Sequence, residues 1–430
     1  MLLKKKCEVV ISLRGGVLPA ASMALRAITL LSRFSLLFLA AKALTPYEFG
    51  FFGLFAALVV FFQYVAGAEF YVYSARTLLG QRKIYVSDVL LSHGVFLFCT
   101  ALTICVFYVV FMLFFADNGW ASVGYFLIPI FLFELVGQEC GRLLVVLGKP
   151  FGAGVVMFFR SGIWAILMSV LLFFFPDDIG LKDLLLAWML GGLVAATLSL
   201  ILIKEKLFAG GARRFLGWHW VWLGVGTSLP YWLSSLSLKA IGTLDRFLFE
   251  DFVGSYVLAA FVLYAGIAGA IGSFLDAGVF SYLYPKVMSA WESGDSDVFK
   301  SLLRKMLFSA FVFSILSSIF ILLVFPYIQL FIRNDVYFEY MGILLFLLLS
   351  QVVFSLSMVA HFALYAQRLD RAVFACHVSM LPLFFCSVYV VSFYSSIYAV
   401  PASVFFAFLF LMLAKWAVYF KKTPSKFRLI

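Results

Sequence analysis

The chain has 430 residues, 65% of them hydrophobic and only 12% charged. Soluble globular domains carry about 25% charged residues, so no soluble fold hides this much apolar surface. The net charge of +11 would suit a nucleic-acid partner, but its placement between apolar segments points to a membrane instead.

A spanning helix needs about 20 mostly apolar residues. Twelve such stretches follow one another at 17–41, 49–74, 88–115, 121–145, 151–175, 184–203, 222–245, 254–283, 303–325, 337–363, 372–393 and 397–419. Backbone polar groups in hydrocarbon must be bonded internally, which leaves helices or closed barrels. Barrel strands alternate apolar and polar residues, and runs such as Gly342–Ser350 (GILLFLLLS) do not. The expected fold is therefore an all-α integral membrane protein of about 12 transmembrane helices.

Lys and Arg concentrate at the N-terminus, in every second gap and at the C-terminus, whereas the intervening gaps hold only Lys42, Lys182, Arg246 and Arg333. Positive residues stay on the cytoplasmic side, so both termini are expected there. The start of the chain loosely resembles a signal peptide, but its apolar segment continues through Arg26 and Arg33 into Leu44, which argues for a retained first helix. The six Cys are scattered without a CxxC pair and read as small core residues.

In the first helix Ser22, Arg26, Thr29 and Arg33 are spaced 4, 3 and 4 and so line one face. Ionisable residues at membrane depth are costly and face a cavity or a partner. In the fourth helix Glu134, Gln138 and Arg142 share a face, and Glu134 and Arg142 are expected in structural Glu–Arg pairs within or between helices. Arg160 adds a cation to the fifth. The gap 204–221 combines Lys204, Lys206, Arg213 and Arg214 with a Trp cluster, as in a short helix lying in the membrane interface. It divides the chain into 1–205 and 206–430, two expected six-helix bundles. In the seventh helix Ser228, Tyr231, Ser235, Lys239, Gly242 and Arg246 form a second polar stripe around a bend expected at Pro230. The eighth carries Gly266, Gly269 and Gly272, suited to close helix packing.

A weak internal repeat supports the division. Lys42-x7-Gly50-x-Phe52 recurs 204 residues later as Arg246-x7-Gly254-x-Tyr256, and Glu69-x-x-Val72-Tyr73-Ser74 recurs 207 residues later as Asp276-x-x-Val279-Phe280-Ser281. Transporters built from such repeats bind substrate between the halves. The polar stripes would then make a cationic cleft of Arg26, Arg33, Arg160 and Lys239, against the plainer reading that Arg26 and Arg246 snorkel to the interfaces and Arg160 pairs with a carboxylate. Glu69, Glu139 and Asp276 are the candidates for proton or sodium coupling. The four His lie on separate segments, and no metal-binding or phosphate-loop motif occurs. No catalytic residue, metal site or cofactor is expected, and the chain does not read as an enzyme; a membrane glycan polymerase or ligase would need a larger external loop.

The stretch from Arg33 to Leu58, with Leu44-Thr45-Pro46-Tyr47-Glu48-Phe49-Gly50 as the turn into the second helix, resembles the polysaccharide flippases of the multidrug/oligosaccharidyl-lipid/polysaccharide (MOP) exporter superfamily. Asp245-Arg246, Gly254-Ser255-Tyr256 and Tyr284-Pro285 look similar in the second half. The resemblance implies a fold like that of the MATE transporters in this superfamily, two bundles around a central cavity with alternating access, in the bacterial inner membrane. It implies as substrate an undecaprenyl-pyrophosphate-linked oligosaccharide of O-antigen or capsular polysaccharide assembly, its diphosphate held by the cleft cations. Membrane lipids, and polymerase or other glycan-assembly proteins, would be its partners. The alternative is cation-coupled multidrug efflux by the sister MATE family, although those cavities commonly carry an acid in the first helix, where this chain has Arg26 and Arg33.

Overall fold

The computed structural model describes residues 2–80, 85–115, 118–208, 214–332 and 334–429. Arg82, Lys83, Arg213 and Arg333 of the charge pattern lie outside the described residues. In chain order the long helices are α1 Leu2–Ala43, α2 Pro46–Gly67, α3 Phe70–Gly80, α4 Val86–Phe115, α5 Leu127–Val146, α6 Pro150–Phe174, α7 Leu181–Phe208, α8 Trp218–Val253, α9 Ser255–Glu292, α10 Ser296–Ile332, α11 Met341–Ala366, α12 Asp370–Ser392 and α13 Ser396–Lys422. No strand occurs among the described residues.

Each of the twelve expected spans is mostly helical, and ten of the described helices are long and apolar enough to cross a membrane. The two expected spans outside that set are α5 and α8. Both are long enough, but α5 carries Glu134, Glu139 and Arg142, and α8 carries the Ser, Trp and Lys residues of the second polar stripe. The features that suggested function are what lower their apolarity.

Three local features bear on the expected pattern. The span predicted over 49–74 breaks between α2 and α3, where Ala68 and Glu69 adopt φ of 47° and 50°. Left-handed backbone at a non-glycine residue costs about 1–3 kcal/mol and needs support from its surroundings. Second, the interfacial helix expected within 204–221 is not formed by its described residues. The end of α7 runs to Phe208, and the linker from Arg214 is held extended, with Arg214 N–H donating to Asp88 Oδ1 (3.0 Å) and Leu216 N–H to Ser92 Oγ (2.9 Å). Asp88 and Ser92 stand one turn apart on α4, and by taking these amides they leave the Trp cluster to begin α8. Third, Pro230 lies inside α8, which continues through it from Trp218 to Val253.

The chain packs as two compact units. Unit 1 comprises residues 1–36, 65–175 and 182–228, and unit 2 comprises 37–64, 176–181 and 229–430. In unit 1, Leu90 of α4, Leu143 and Leu144 of α5, Val156 of α6 and Ala195 and Ile203 of α7 form one buried cluster. Apolar contact between helices gains little over contact with lipid, so such clusters hold by close packing and by polar contacts.

Unit 2 shows why the turn before α2 has its sequence. Thr45 N–H and Oγ1 both donate to Glu48 Oε2 (3.1 and 2.8 Å), and Glu48 N–H returns to Thr45 Oγ1 (3.3 Å). This is a reciprocal capping box, with Pro46 at the first helical position. The second copy of the turn lies against it: a Cβ at Gly50 would come within 3.0 Å of Ser255 O, and the Tyr47 and Tyr256 rings are 5.6 Å apart. Gly254, at φ 95°, makes the turn into α9 that other residues resist. In α9 itself, side chains at Gly266 and Gly272 would collide with Leu37 and Gln351, whereas nothing lies within 4 Å of a Cβ at Gly269. Two of the three glycines are therefore packing positions.

Candidate functional site

Part of the polar stripe of α1 packs inward in unit 1: Thr29 is buried and Ser22 half-buried, whereas the Arg26 and Arg33 side chains are exposed. A Cβ at Gly154 would sit 3.7 Å from Ser22 Oγ, and one at Gly162 only 3.1 Å from Thr29 Oγ1. Ser22 and Thr29 thus lie along α6, two turns apart on each helix. Thr29 is buried and returns its hydroxyl to Leu25 O at 2.7 Å. One turn further, the Arg33 guanidinium is in electrostatic contact with both Glu134 and Arg160. Arg26 is exposed, with no hydrogen bond or ion pair among the described residues.

Arg160 stands in a π turn, Phe159–Ile163, within α6. Such turns widen the helix locally and often mark functional positions. Its Nε lies 3.4 Å from Glu134 Oε2, and the other oxygen of that carboxylate accepts from Trp188 Nε1 at 2.8 Å. Trp164 donates to Arg160 O at 2.9 Å and stacks on Trp188 with centroids 5.7 Å apart. The site is an aromatic-walled carboxylate facing two guanidiniums, with one positive charge in excess. The sequence singles out Arg33, Glu134 and Arg160, and its plainer reading pairs Arg160 with a carboxylate, but it singles out neither Trp164 nor Trp188.

A second cluster surrounds the break between α2 and α3. Glu139 is fully buried and Glu69 nearly so. Arg142 reaches Glu139 Oε1 at 2.9 Å and Glu69 Oε2 at 3.6 Å, and lies over the Tyr71 ring at 4.5 Å. Glu134 and Arg142 are thus both in Glu–Arg pairs, one between helices and one within α5. His93 Nε2 stands 3.6 Å from Glu139 Oε2, while its Nδ1 meets Ser74 Oγ at 2.8 Å. A side chain at Gly67 would come within 3.1 Å of Glu139 Oε1, and Thr100 Oγ1 donates to Ala66 O at 2.9 Å. The broken backbone is therefore held by a hydroxyl and packed against a buried carboxylate. Arg142 and His93 thus gather two buried carboxylates, Glu69 and Glu139, into one cluster. Sequence reasoning does not single out His93: its contacts come from α3 and α5, far along the chain.

In unit 2, Lys239 Nζ lies 5.0 Å from the centroid of the Tyr64 ring, a cation–π arrangement. Trp232 Nε1 donates to Tyr64 O at 2.9 Å on the same helix face as Lys239, two turns earlier. Arg246 is occupied locally by Asp245 Oδ1 (3.3 Å) and the Gly242 carbonyl. Asp276 is exposed and opens the π turn Asp276–Phe280. Glu69 and Asp276, matched in the expected repeat, both stand where the helix departs from α geometry.

No family model matches the chain, and no curated protein matches it. Solved structures do. An inward-facing multidrug resistance MATE family transporter of the MOP superfamily superposes with a TM-score of 0.69 at 15% identity, over 94% of this chain and 99% of that one. The MATE multidrug transporter DinF-BH gives 0.68 at 13% identity over 96% and 95%. A mutant of the Vibrio cholerae MATE transporter VcmN gives 0.58 at 14% over 95% and 99%. At such identities the likeness is one of fold, and the fold is that of the MATE transporters.

Proposed function

We propose that this chain is a membrane transporter rather than an enzyme, moving its substrate by alternating access. The observation that carries the reading is the likeness to MATE transporters over nearly the whole of both chains. Of the finer readings, cation-coupled efflux of drug-like molecules draws support from these neighbours, which are multidrug transporters. The paired acids at Glu69 and Glu139 supply the carboxylates such coupling uses. Both termini are then cytoplasmic, in the inner membrane of a bacterium.

A second reading rests on the α1–α5–α6 site. Two guanidiniums share a single carboxylate there, the apolar part of α1 from Ala21 to Ala43 carries no acid, and Lys239 adds an amine in unit 2. Cation excess suits an anionic head, as in a polyprenyl-pyrophosphate-linked oligosaccharide of O-antigen or capsule assembly, and disfavours a cationic drug.

One experiment separates the two. Purified protein in proteoliposomes is given a proton or sodium gradient and assayed with ethidium, then with a short-chain polyprenyl-pyrophosphate-linked sugar carrying a fluorophore. Gradient-driven ethidium movement supports efflux. Movement of the lipid-linked sugar that falls in Arg33→Ala and Lys239→Ala at equal protein levels supports flipping. Movement of neither probe by folded protein refutes both substrate assignments.

A further inference from the structure

Unit 2 contains three basic groups that the proposed site does not use. Lys415, in the C-terminal half of α13, has no exposed surface, and its Nζ has no hydrogen-bond or ion-pair partner among the described residues. Helix α13 packs along both α11 and α12, and each presents an imidazole. The His361 and His377 rings lie parallel within 2°, centroids 5.7 Å apart, and both interact electrostatically with Lys415. His361 Nδ1 and His377 Nε2 are likewise shielded and unpartnered. An unpaired buried amine is among the most costly groups a protein can hold, and three unsatisfied nitrogens in one place call for a purpose.

The surroundings limit what that purpose is. Besides the trio, Cys376 of α12 and the Tyr365 hydroxyl of α11 are the titratable neighbours, with Tyr284 of α9 reaching Tyr365. Among the described residues no carboxylate pairs with Lys415. Three basic nitrogens with no anion beside them hold one positive charge more readily than two, because like charges in a low dielectric repel strongly. The group therefore behaves as one coupled base.

Two separate hydrogen bonds tie α8 to α12 near it. At the start of α12, Asp370 Oδ2 accepts from Tyr231 OH at 2.9 Å. Two turns deeper, about 10 Å along the axis, His377 Nδ1 meets Ser234 Oγ at 2.6 Å. Tyr231 and Ser234 are three residues apart and so share a face of α8.

We propose that His361, His377 and Lys415 form a single proton-binding site in unit 2, and that its loading and release couple transport to a proton gradient. On loading, water or hydronium gives up a proton, and a nitrogen lone pair of the trio forms the new N–H bond. On release that bond breaks and water takes the proton; no electrons are transferred. The coupling rests on the transporter reading above, whereas the proton site does not.

The test uses the full chain in nanodiscs with 15N-histidine labelling. The four His signals are followed against pH, with His361→Gln and His377→Gln as assignments. The expected result is that His361 and His377 titrate together, and that Lys415→Met moves their midpoints by more than one pH unit, about tenfold in proton affinity. Met keeps the length and volume of the side chain and removes the unpaired amine, so this variant should fold. If it does not, each single His variant must move the other's midpoint by the same margin. Independent titration of the two rings, unaffected by Lys415→Met, overturns the proposal. Coupled titration without any gradient-driven movement of ethidium or the lipid-linked sugar keeps the proton site and refutes its role in transport.

Discussion

Replacing Glu134 by Gln tests whether the α5–α6 contact is an ion pair that organises unit 1. Gln keeps the shape and can still accept from Trp188 Nε1, now at 2.8 Å from Glu134 Oε1. It places an amide against Arg160 Nε, 3.4 Å from the present Oε2. Coulomb attraction across 3.4 Å at an effective dielectric of about 20 is roughly 5 kcal/mol. Breaking a buried pair by removing one partner typically costs about 3–5 kcal/mol, and the Arg160 side chain keeps 20% of its surface exposed, so the lower end applies. Glu134→Gln should lose about 3 kcal/mol in unfolding titrations from mild detergent into SDS. Because Arg33 also faces this carboxylate, Arg160→Gln should lose less. The double variant should recover about 2 kcal/mol relative to the sum of the singles. A coupling energy below about 0.5 kcal/mol, the level of independent sites, would refute the pairing.

Three further outcomes follow from local geometry. Thr45→Ala removes one half of the capping box and should cost about 1 kcal/mol in the same titration; Glu48→Ala added to it should cost little more, and full additivity would count against reciprocity. Gly266→Leu forces a side chain into Leu37, 2.7 Å from the new Cβ, for an expected loss of about 1–3 kcal/mol, while Gly269→Ala should be nearly neutral; equal effects would refute the packing assignment. Glu69→Gln should weaken or abolish dependence of transport on the ion gradient, and Asp276→Asn tests the repeat-related position in the same way. Unchanged gradient dependence in both would exclude these two acids as coupling groups.

The helices were legible because hydrocarbon leaves the backbone no other choice, and runs of about 20 apolar residues are visible without any partner. The turn at Leu44–Gly50 stood out by its resemblance, whereas its Thr45–Glu48 capping box emerged only in the structure. The break between α2 and α3 was not, because its left-handed residues are Ala68 and Glu69 while the glycine that would have signalled it sits one place earlier. Pairing partners were also hidden. Spacing showed that Arg33 and Thr29 share a face, but nothing in linear order ties Glu134 to Arg160 or Trp188, since that depends on how α5, α6 and α7 meet. Histidines went unread for the same reason: His361 and His377 lie on separate helices, and a turn between α11 and α12 brings them into contact.

The repeated motif shows how two halves with a common pattern diverge in chemistry. At Glu69 the backbone breaks, and the freed carboxylate is drawn into a buried cluster with Arg142, Glu139 and His93. At Asp276 the same point holds only a π turn, and the carboxylate stays exposed. Lys415, His361 and His377 of unit 2 lie elsewhere, on α11, α12 and α13, with no acid paired to them among the described residues. Irregular backbone at both positions fits a need to bend these helices.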